Sequence, residues 1–172
     1  MVTVSKKICM VGDFGVGKTS LIRRFVDREF SDRYLSTVGV KISRKVIPLA
    51  PAADIDELKL LIWDLEGQTK FKAITPTYLQ GSSGVLIVAD VTRPETISHI
   101  EDHLQLFFGV NPGGWVAIAL NKTDLLDSDE KAYLQTSLQF DPPHILGPYL
   151  TSAKTGDNVD KIFTELAREM LS

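Results

Sequence analysis

A glycine-rich run that ends in lysine and threonine, Gly12-Asp13-Phe14-Gly15-Val16-Gly17-Lys18-Thr19, has the residue types and spacing of a phosphate-binding loop. The apolar run Ile8-Cys9-Met10-Val11 precedes it and a helical pattern follows it from Ser20. Glycines let the backbone curl so that successive N–H groups face phosphate oxygens, and the helix start adds the positive end of its dipole. In such a loop Lys18 neutralises β- and γ-phosphates, and the Thr19 hydroxyl ligates Mg²⁺.

Further polar motifs follow later apolar runs. Because the carboxyl ends of strands in an open α/β sheet form the ligand-binding edge, we expect these motifs to meet there. Asp64 suits a magnesium ion held through water, and the Asp124 carboxylate matches the N1–H and exocyclic amine of guanine, two donors that adenine cannot present together. The motifs are Trp63-Asp64-Leu65-Glu66-Gly67-Gln68, Asn121-Lys122-Thr123-Asp124 and Thr151-Ser152-Ala153-Lys154, the last offering N–H groups to a base carbonyl.

The elements that position these motifs follow from hydrophobic patterning. Strand-like runs alternate with helical patterns, which predicts an α/β fold with helices on both faces of the sheet. Since no helix separates the second strand from the third, those two are expected to form an antiparallel hairpin. Pro148 indicates that the last strand lies at a sheet edge. The predicted strands are Lys7–Val11, Val38–Ile47, Leu58–Trp63, Val85–Asp90, Val116–Asn121 and Ile145–Leu150.

Two amphipathic stripes predict later helices, and two histidines accompany the first of them. His99 and His103 lie four residues apart, a spacing that can bind zinc, but no third ligand is near in sequence. We therefore expect both rings on a solvated face. The stripes are Ile97, Ile100, Leu104 and Phe107, then Val159, Ile162, Phe163, Leu166 and Met170.

Composition favours an ordinary globular protein. The 172 residues are 44% hydrophobic and 24% charged, which fits one domain over 1–172. A net charge of −3 argues against nucleic acid or an anionic membrane as the main partner. No stretch is long enough for a membrane span. Cys9, the sole cysteine, is expected in the core, which is typical of a reduced, cytoplasmic protein.

The ordered set of motifs resembles the Ras-superfamily small GTPases, most of all the Rab branch, over essentially the whole chain. The resemblance implies a three-layer P-loop NTPase (G domain) with a six-stranded, mostly parallel sheet and one antiparallel strand. It also implies GTP or GDP with Mg²⁺, slow hydrolysis, and a monomeric switch that signals to effector, exchange-factor and GTPase-activating proteins. The Rab character comes from Ser36-Thr37-Val38-Gly39-Val40, Leu60-Leu61-Ile62-Trp63-Asp64 and Phe71-Lys72-Ala73-Ile74-Thr75.

The resemblance also assigns roles to residues. Gln68 would orient the attacking water, Gly67 would donate its N–H to the γ-phosphate, and Lys18 completes this catalytic group. Thr19, Thr37 and Asp64 would hold Mg²⁺. The expected nucleotide contacts are Gly15, Val16, Gly17, Lys18, Thr19, Ser20, Phe30, Tyr34, Thr37, Gly67, Asn121, Lys122, Asp124, Ser152, Ala153 and Lys154.

The chain departs from the family pattern at three places. Phe14 replaces a glycine or serine beside the γ-phosphate, so we expect hydrolysis at roughly 10⁻⁴ s⁻¹ or below and a poor response to an arginine finger, unless the ring tilts onto switch II, the loop that carries Gln68. Glu66 replaces a small residue; it either points outward or favours nucleotide exchange. The chain ends at Ser172 without a terminal cysteine, so no prenyl anchor is expected on it, as in a truncated or an unlipidated, prokaryotic-type member.

Two other functions compete with a GTPase switch. A guanine-nucleotide-binding scaffold with little or no hydrolysis would follow if Phe14 and Glu66 disabled turnover, but Thr19, Thr37 and Gln68 are intact. A P-loop kinase or ATPase would have no use for the motif Asn121-Lys122-Thr123-Asp124.

Overall fold

A six-stranded sheet forms the centre of the protein in the computed structural model, which describes residues 1–32, 39–49, 54–65, 67, 75–141 and 143–172. The strands are β1 (Thr3–Val11), β2 (Val40–Pro48), β3 (Glu57–Leu65), β4 (Gly84–Asp90), β5 (Trp115–Asn121) and β6 (Ile145–Leu150). Their order across the sheet is β2-β3-β1-β4-β5-β6.

Strand direction agrees with the sequence patterns. β1 pairs in parallel with β3 and β4, β5 pairs in parallel with β4 and β6, and β2 with β3 forms the antiparallel hairpin. All seven residues of β4 are buried, as its continuous apolar run requires. Pro148 lies in the edge strand β6, where a missing N–H costs no ladder bond. The predicted α/β fold and hairpin are confirmed.

Helices cover both faces of the sheet. They are α1 (Lys18–Asp27), α2 (Thr75–Leu79), α3 (Pro94–Ser98), α4 (Ile100–Val110), α5 (Ser128–Ser137) and α6 (Val159–Glu169). One core packs α1 and α6 against the sheet through Phe25 and Phe163, and the other packs α4 through Phe107. In the described part of the chain no helix is both long and apolar enough to cross a membrane.

Cys9 behaves as the small core residue that the sequence predicts. Its side chain is fully buried, and its thiol lies 3.0 Å from the Ser82 hydroxyl. Burial raises the pKa of this thiol above its ordinary value, so the neutral form predominates.

Two helical details differ from the patterns. The first predicted stripe spans two helices, because α3 ends at Ser98 and α4 begins at Ile100. α5 was not predicted, since none of its residues is buried and it carries no apolar stripe. Its signal is a capping box, in which the Asp127 carboxylate accepts from the Glu130 N–H at 2.8 Å and Glu130 accepts in return from Asp127.

Replacing Phe163 by alanine should destabilise the protein by about 3–5 kcal/mol. The ring is fully buried and stacks on Phe25 with centroids 4.2 Å apart, so truncation leaves a cavity between α1 and α6. Urea unfolding of the GDP-bound protein measures the loss. Tyr133→Ala, at a side chain that is 70% exposed, serves as the control and should change stability by less than about 0.5 kcal/mol. Equal midpoints for Phe163→Ala and wild type would contradict the packing.

Candidate functional site

The loop between β1 and α1 has the curled backbone that phosphate binding requires. Gly17 has φ +104°, and a Cβ on it would lie only 2.4 Å from the Asn121 side-chain nitrogen, so only glycine fits. Lys18 begins α1 and is 7% exposed; its Nζ donates to the carbonyls of Gly12 at 3.0 Å and Asp13 at 3.1 Å. The ammonium group thus lies across the loop.

Side chains from the end of β5 hold the carbonyls of this loop. Lys122 Nζ donates to the Gly15 carbonyl at 2.9 Å, and Asn121 Nδ2 donates to the Val16 carbonyl at 3.0 Å. In a trans peptide the C=O and the following N–H point in opposite directions. The N–H groups of Val16 and Gly17 are therefore turned away from Lys122 and Asn121, as a cradle for an anion requires.

The hydroxyl of Thr19 and the carboxylate of Asp64 meet at the start of α1. Thr19 Oγ1 donates to Asp64 Oδ2 at 2.5 Å, and Asp64 is 1% exposed at the end of β3. Hydroxyl and carboxylate oxygens are the donors that Mg²⁺ prefers, so this pair fits the magnesium that the resemblance implies. Thr37, the third predicted ligand, lies outside the described residues.

Gly67 lies directly against the phosphate-binding loop. A Cβ at this position would be 2.7 Å from the Phe14 nitrogen and 2.8 Å from the Gly12 carbonyl oxygen. The approach of the two backbones therefore explains a glycine here without any special φ angle. Its neighbours Glu66 and Gln68 lie outside the described residues, so their predicted roles stay predictions.

The Asp124 side chain is oriented by the motif from Thr151 to Lys154. The fully buried Ser152 donates from its hydroxyl to Asp124 Oδ1 at 2.7 Å. The Thr151 hydroxyl donates to Asn121 Oδ1 at 3.1 Å, which sets the amide so that its nitrogen faces the Val16 carbonyl. Thr151 and Ser152 therefore orient Asn121 and Asp124, two of the residues that the sequence assigns to the nucleotide.

Asp90 belongs to the site but was missed from the sequence. Its carboxylate is 2.8 Å from Lys122 Nζ, and β4 and β5 pair Asp90 opposite Asn121. Burial raises the pKa of Asp90, but hydrogen bonds from Lys122 and Thr92 outweigh that effect and leave the pKa below its ordinary value. The carboxylate is thus ionised at neutral pH and fixes the Lys122 side chain. Asp90 is the last residue of the buried strand β4, and that position at the ligand-binding end of the sheet could have identified it from the sequence.

The phosphate-binding loop, Gly67 and the motif from Asn121 to Asp124 line one cavity of about 320 Å³, a size in the range of small-molecule sites. Phe30, at 37% exposure, and Phe14, at 39%, lie among its walls. Tyr34, with Thr37 and Gln68, lies outside the described residues. The lining residues are Phe14, Gly15, Gly17, Lys18, Thr19, Ser20, Phe30, Ser31, Asp32, Leu65, Gly67, Asn121, Lys122, Asp124, Leu125, Ala153 and Lys154.

The expectation that His99 and His103 lie on a solvated face holds for His99, whose side chain is 47% exposed, and is wrong for His103, whose side chain is 19% exposed. His99 Nδ1 is 2.5 Å from Asp13 Oδ2, and His103 Nε2 is 3.5 Å from Asp13 Oδ1. His99 has helical backbone angles, and the hydrogen bonds from His99 N to the Glu95 carbonyl and from His103 N to the His99 carbonyl continue the helical turns. The four-residue spacing therefore places both rings on one face, beside the phosphate-binding loop. Among the described residues no group of three or more His, Cys, Asp or Glu side chains could hold a metal ion.

The sequence is similar to known proteins along nearly its full length. A sequence model of the Ras family matches residues 7–172. Human Ras-related protein Rab-22A is 36% identical over 168 residues, covering 96% of this chain and 84% of the relative. Rab-13 of Canis lupus familiaris is 32% identical over 166 residues, covering 96% and 79%, and Rab-1 of Theileria annulata is 36% identical over 173 residues, covering 95% and 73%. The chain therefore belongs to the Ras family and is a Rab-like GTPase that binds GTP or GDP with Mg²⁺.

Proposed function

We propose that this GTPase is a molecular switch whose contacts to the γ-phosphate set the state of two loops. The observation that supports this most is one cavity lined by the phosphate-binding loop, Gly67 and the Asn121-to-Asp124 motif. Phosphate recognition at one end and guanine recognition at the other suit a nucleoside triphosphate. Gly67 beside Gly12 and Phe14 is where a γ-phosphate would be sensed.

In this proposal different residues bind the phosphates, the guanine and the magnesium ion. The N–H groups of the loop and Lys18 bind the phosphates, and Asn121, Lys122 and Asp124 bind the guanine against Phe30 and Ala153. Magnesium, held by Thr19, Thr37 and Asp64, would neutralise charge on the phosphates.

Hydrolysis and switching use residues next to these. Gln68 orients water for in-line attack on the γ-phosphate, and catalysis comes from positioning and electrostatics. Thr37 and Gly67 contact the γ-phosphate only in the GTP state, so its loss releases both loops.

The same logic defines the partners and the setting. Effectors prefer the GTP form of the loops, and each can shift the equilibrium only by its differential affinity for the two states. Exchange factors and GTPase-activating proteins act on the same loops. We propose that the chain works as a monomeric G domain in the cytoplasm.

Amide hydrogen exchange tests the switch. With a non-hydrolysable GTP analogue in place of GDP, peptides covering 33–38 and 66–74 should exchange more slowly, while a peptide from the buried strand β5 should not change. Binding of both nucleotides with no difference at these peptides would contradict the switch and favour the scaffold function.

Replacing Phe14 by glycine should raise the intrinsic hydrolysis rate by roughly tenfold, which corresponds to about 1.4 kcal/mol in the barrier. The ring lines the cavity, and its backbone borders Gly67 next to the expected position of Gln68. Single-turnover GTP hydrolysis measures the effect, with Val46→Ala on β2 as an exposed apolar control. Equal rates for Phe14→Gly and wild type would show that the phenyl ring does not hinder the reaction.

A further inference from the structure

Arg93, which lies between β4 and α3, reaches the phosphate-binding loop. Its Nη1 donates to the Phe14 carbonyl at 2.7 Å, and its Nε donates to Glu95 Oε1 at 3.3 Å. Glu95 thus holds one edge of the guanidinium while another nitrogen binds the loop. A planar guanidinium can make both bonds at once in a fixed geometry.

This contact extends the pattern made by Lys122 and Asn121. The carbonyls of Phe14, Gly15 and Val16 each accept a hydrogen bond from one of the side chains Arg93, Lys122 and Asn121. Because the peptide after Phe14 is trans, a carbonyl held toward Arg93 turns the Gly15 N–H to the opposite side. Arg93 therefore controls the first of three successive N–H groups in the cradle.

Asp13, the residue before Phe14, is contacted by the segment that follows Arg93. The Asp13 carboxylate contacts His99 at the start of α4 and His103 one turn later. The segment that begins at Arg93 thus contacts the loop at two consecutive residues, through the Phe14 carbonyl and the Asp13 carboxylate.

We propose that Arg93 and His99 are positioning residues that hold Asp13 and Phe14 so that the Gly15 N–H faces the phosphates of the bound nucleotide. The inference rests on the proposed phosphate-binding role of the loop from Gly12 to Thr19. Both residues act through the loop backbone and need not touch the nucleotide. Their removal leaves the guanine end of the site, at Asp124 and Ser152, intact.

The rate of release of a fluorescent GDP tests the role of Arg93. Arg93→Ala should release it roughly tenfold faster, the effect expected for losing one hydrogen bond from a charged donor. Arg93→Lys keeps a donor but cannot also hold Glu95, so it should restore part of the difference. Arg168→Ala, at an exposed arginine in the last turn of α6, is the matched control and should behave as wild type.

Phosphorus NMR of bound GDP separates positioning from a general loss of structure. The β-phosphate resonance should shift in Arg93→Ala and return toward the wild-type position in Arg93→Lys. Wild-type release rates and an unshifted β-phosphate resonance in Arg93→Ala would overturn the inference. Failure of the underlying proposal looks different, because wild type itself would then not retain GDP.

A second pair of variants tests the histidine. His99→Ala should also speed GDP release. His99→Asn should return the release rate to the wild-type value, because the asparagine amide can place a donor near the position of Nδ1. Release from His99→Ala at the wild-type rate would remove His99 from the inference.

Discussion

Asp124→Asn is expected to weaken GDP binding on the order of 10³- to 10⁵-fold, because a site built to accept two donors rejects a base when one acceptor is lost. The carboxylate lines the cavity and is oriented by the Ser152 hydroxyl at 2.7 Å. An asparagine amide would place its own N–H₂ against a donor of guanine. Titration of fluorescent GDP into the nucleotide-free protein measures the loss.

A second base serves as the control for that substitution. Xanthine carries a carbonyl where guanine carries the amine, so the asparagine amide can donate to it while accepting from N1–H. The variant should therefore bind xanthosine diphosphate better than GDP, which also shows that it is folded. Retention of wild-type GDP affinity by Asp124→Asn would contradict the assignment of the guanine end.

Lys18→Ala should weaken GDP binding by roughly 10²- to 10³-fold, the cost of removing one partner from a buried pair of opposite charges. The lysine is 7% exposed, and its Nζ lies across the loop against the carbonyls of Gly12 and Asp13. No other ammonium group among the described residues has that position. Displacement of a fluorescent GDP gives the affinity.

The variant must be compared with a lysine elsewhere. Lys161→Ala, at an exposed position on α6, should leave GDP affinity unchanged. Guanosine, which has no phosphate, should bind Lys18→Ala and wild type equally. An equal loss for guanosine and GDP would indicate damage to the whole cavity and would contradict a role confined to phosphate.

The sequence was sufficient wherever local pattern determines structure. The continuous apolar runs of β4 and β5 predict buried parallel strands because both faces need apolar cover. Gly17 and Gly67 stand where backbone geometry or close approach excludes a Cβ. Asp64 lies at the end of β3 and Asn121 ends β5, and because β3, β1, β4 and β5 are parallel, both residues lie at the same end of the sheet.

The remaining features depend on contacts between distant parts of the chain. His99 and His103 contact Asp13 because the fold brings the start of α4 beside the phosphate-binding loop, which is distant from it in sequence. The Arg93 contact to Phe14 joins residues 79 positions apart, and no local pattern predicts it. Burial raises the pKa of Asp90, but the hydrogen bonds that lower it include one from Lys122, which follows the neighbouring strand β5.

Single-turnover hydrolysis of preloaded GTP with Mg²⁺, in wild type and Gln68→Leu, tests the central claim most directly. If Gln68 orients the attacking water, wild type should hydrolyse GTP clearly faster than Gln68→Leu while both retain the nucleotide. Bound GTP that neither protein hydrolyses above the rate in buffer would contradict a working GTPase switch and support a nucleotide-binding scaffold.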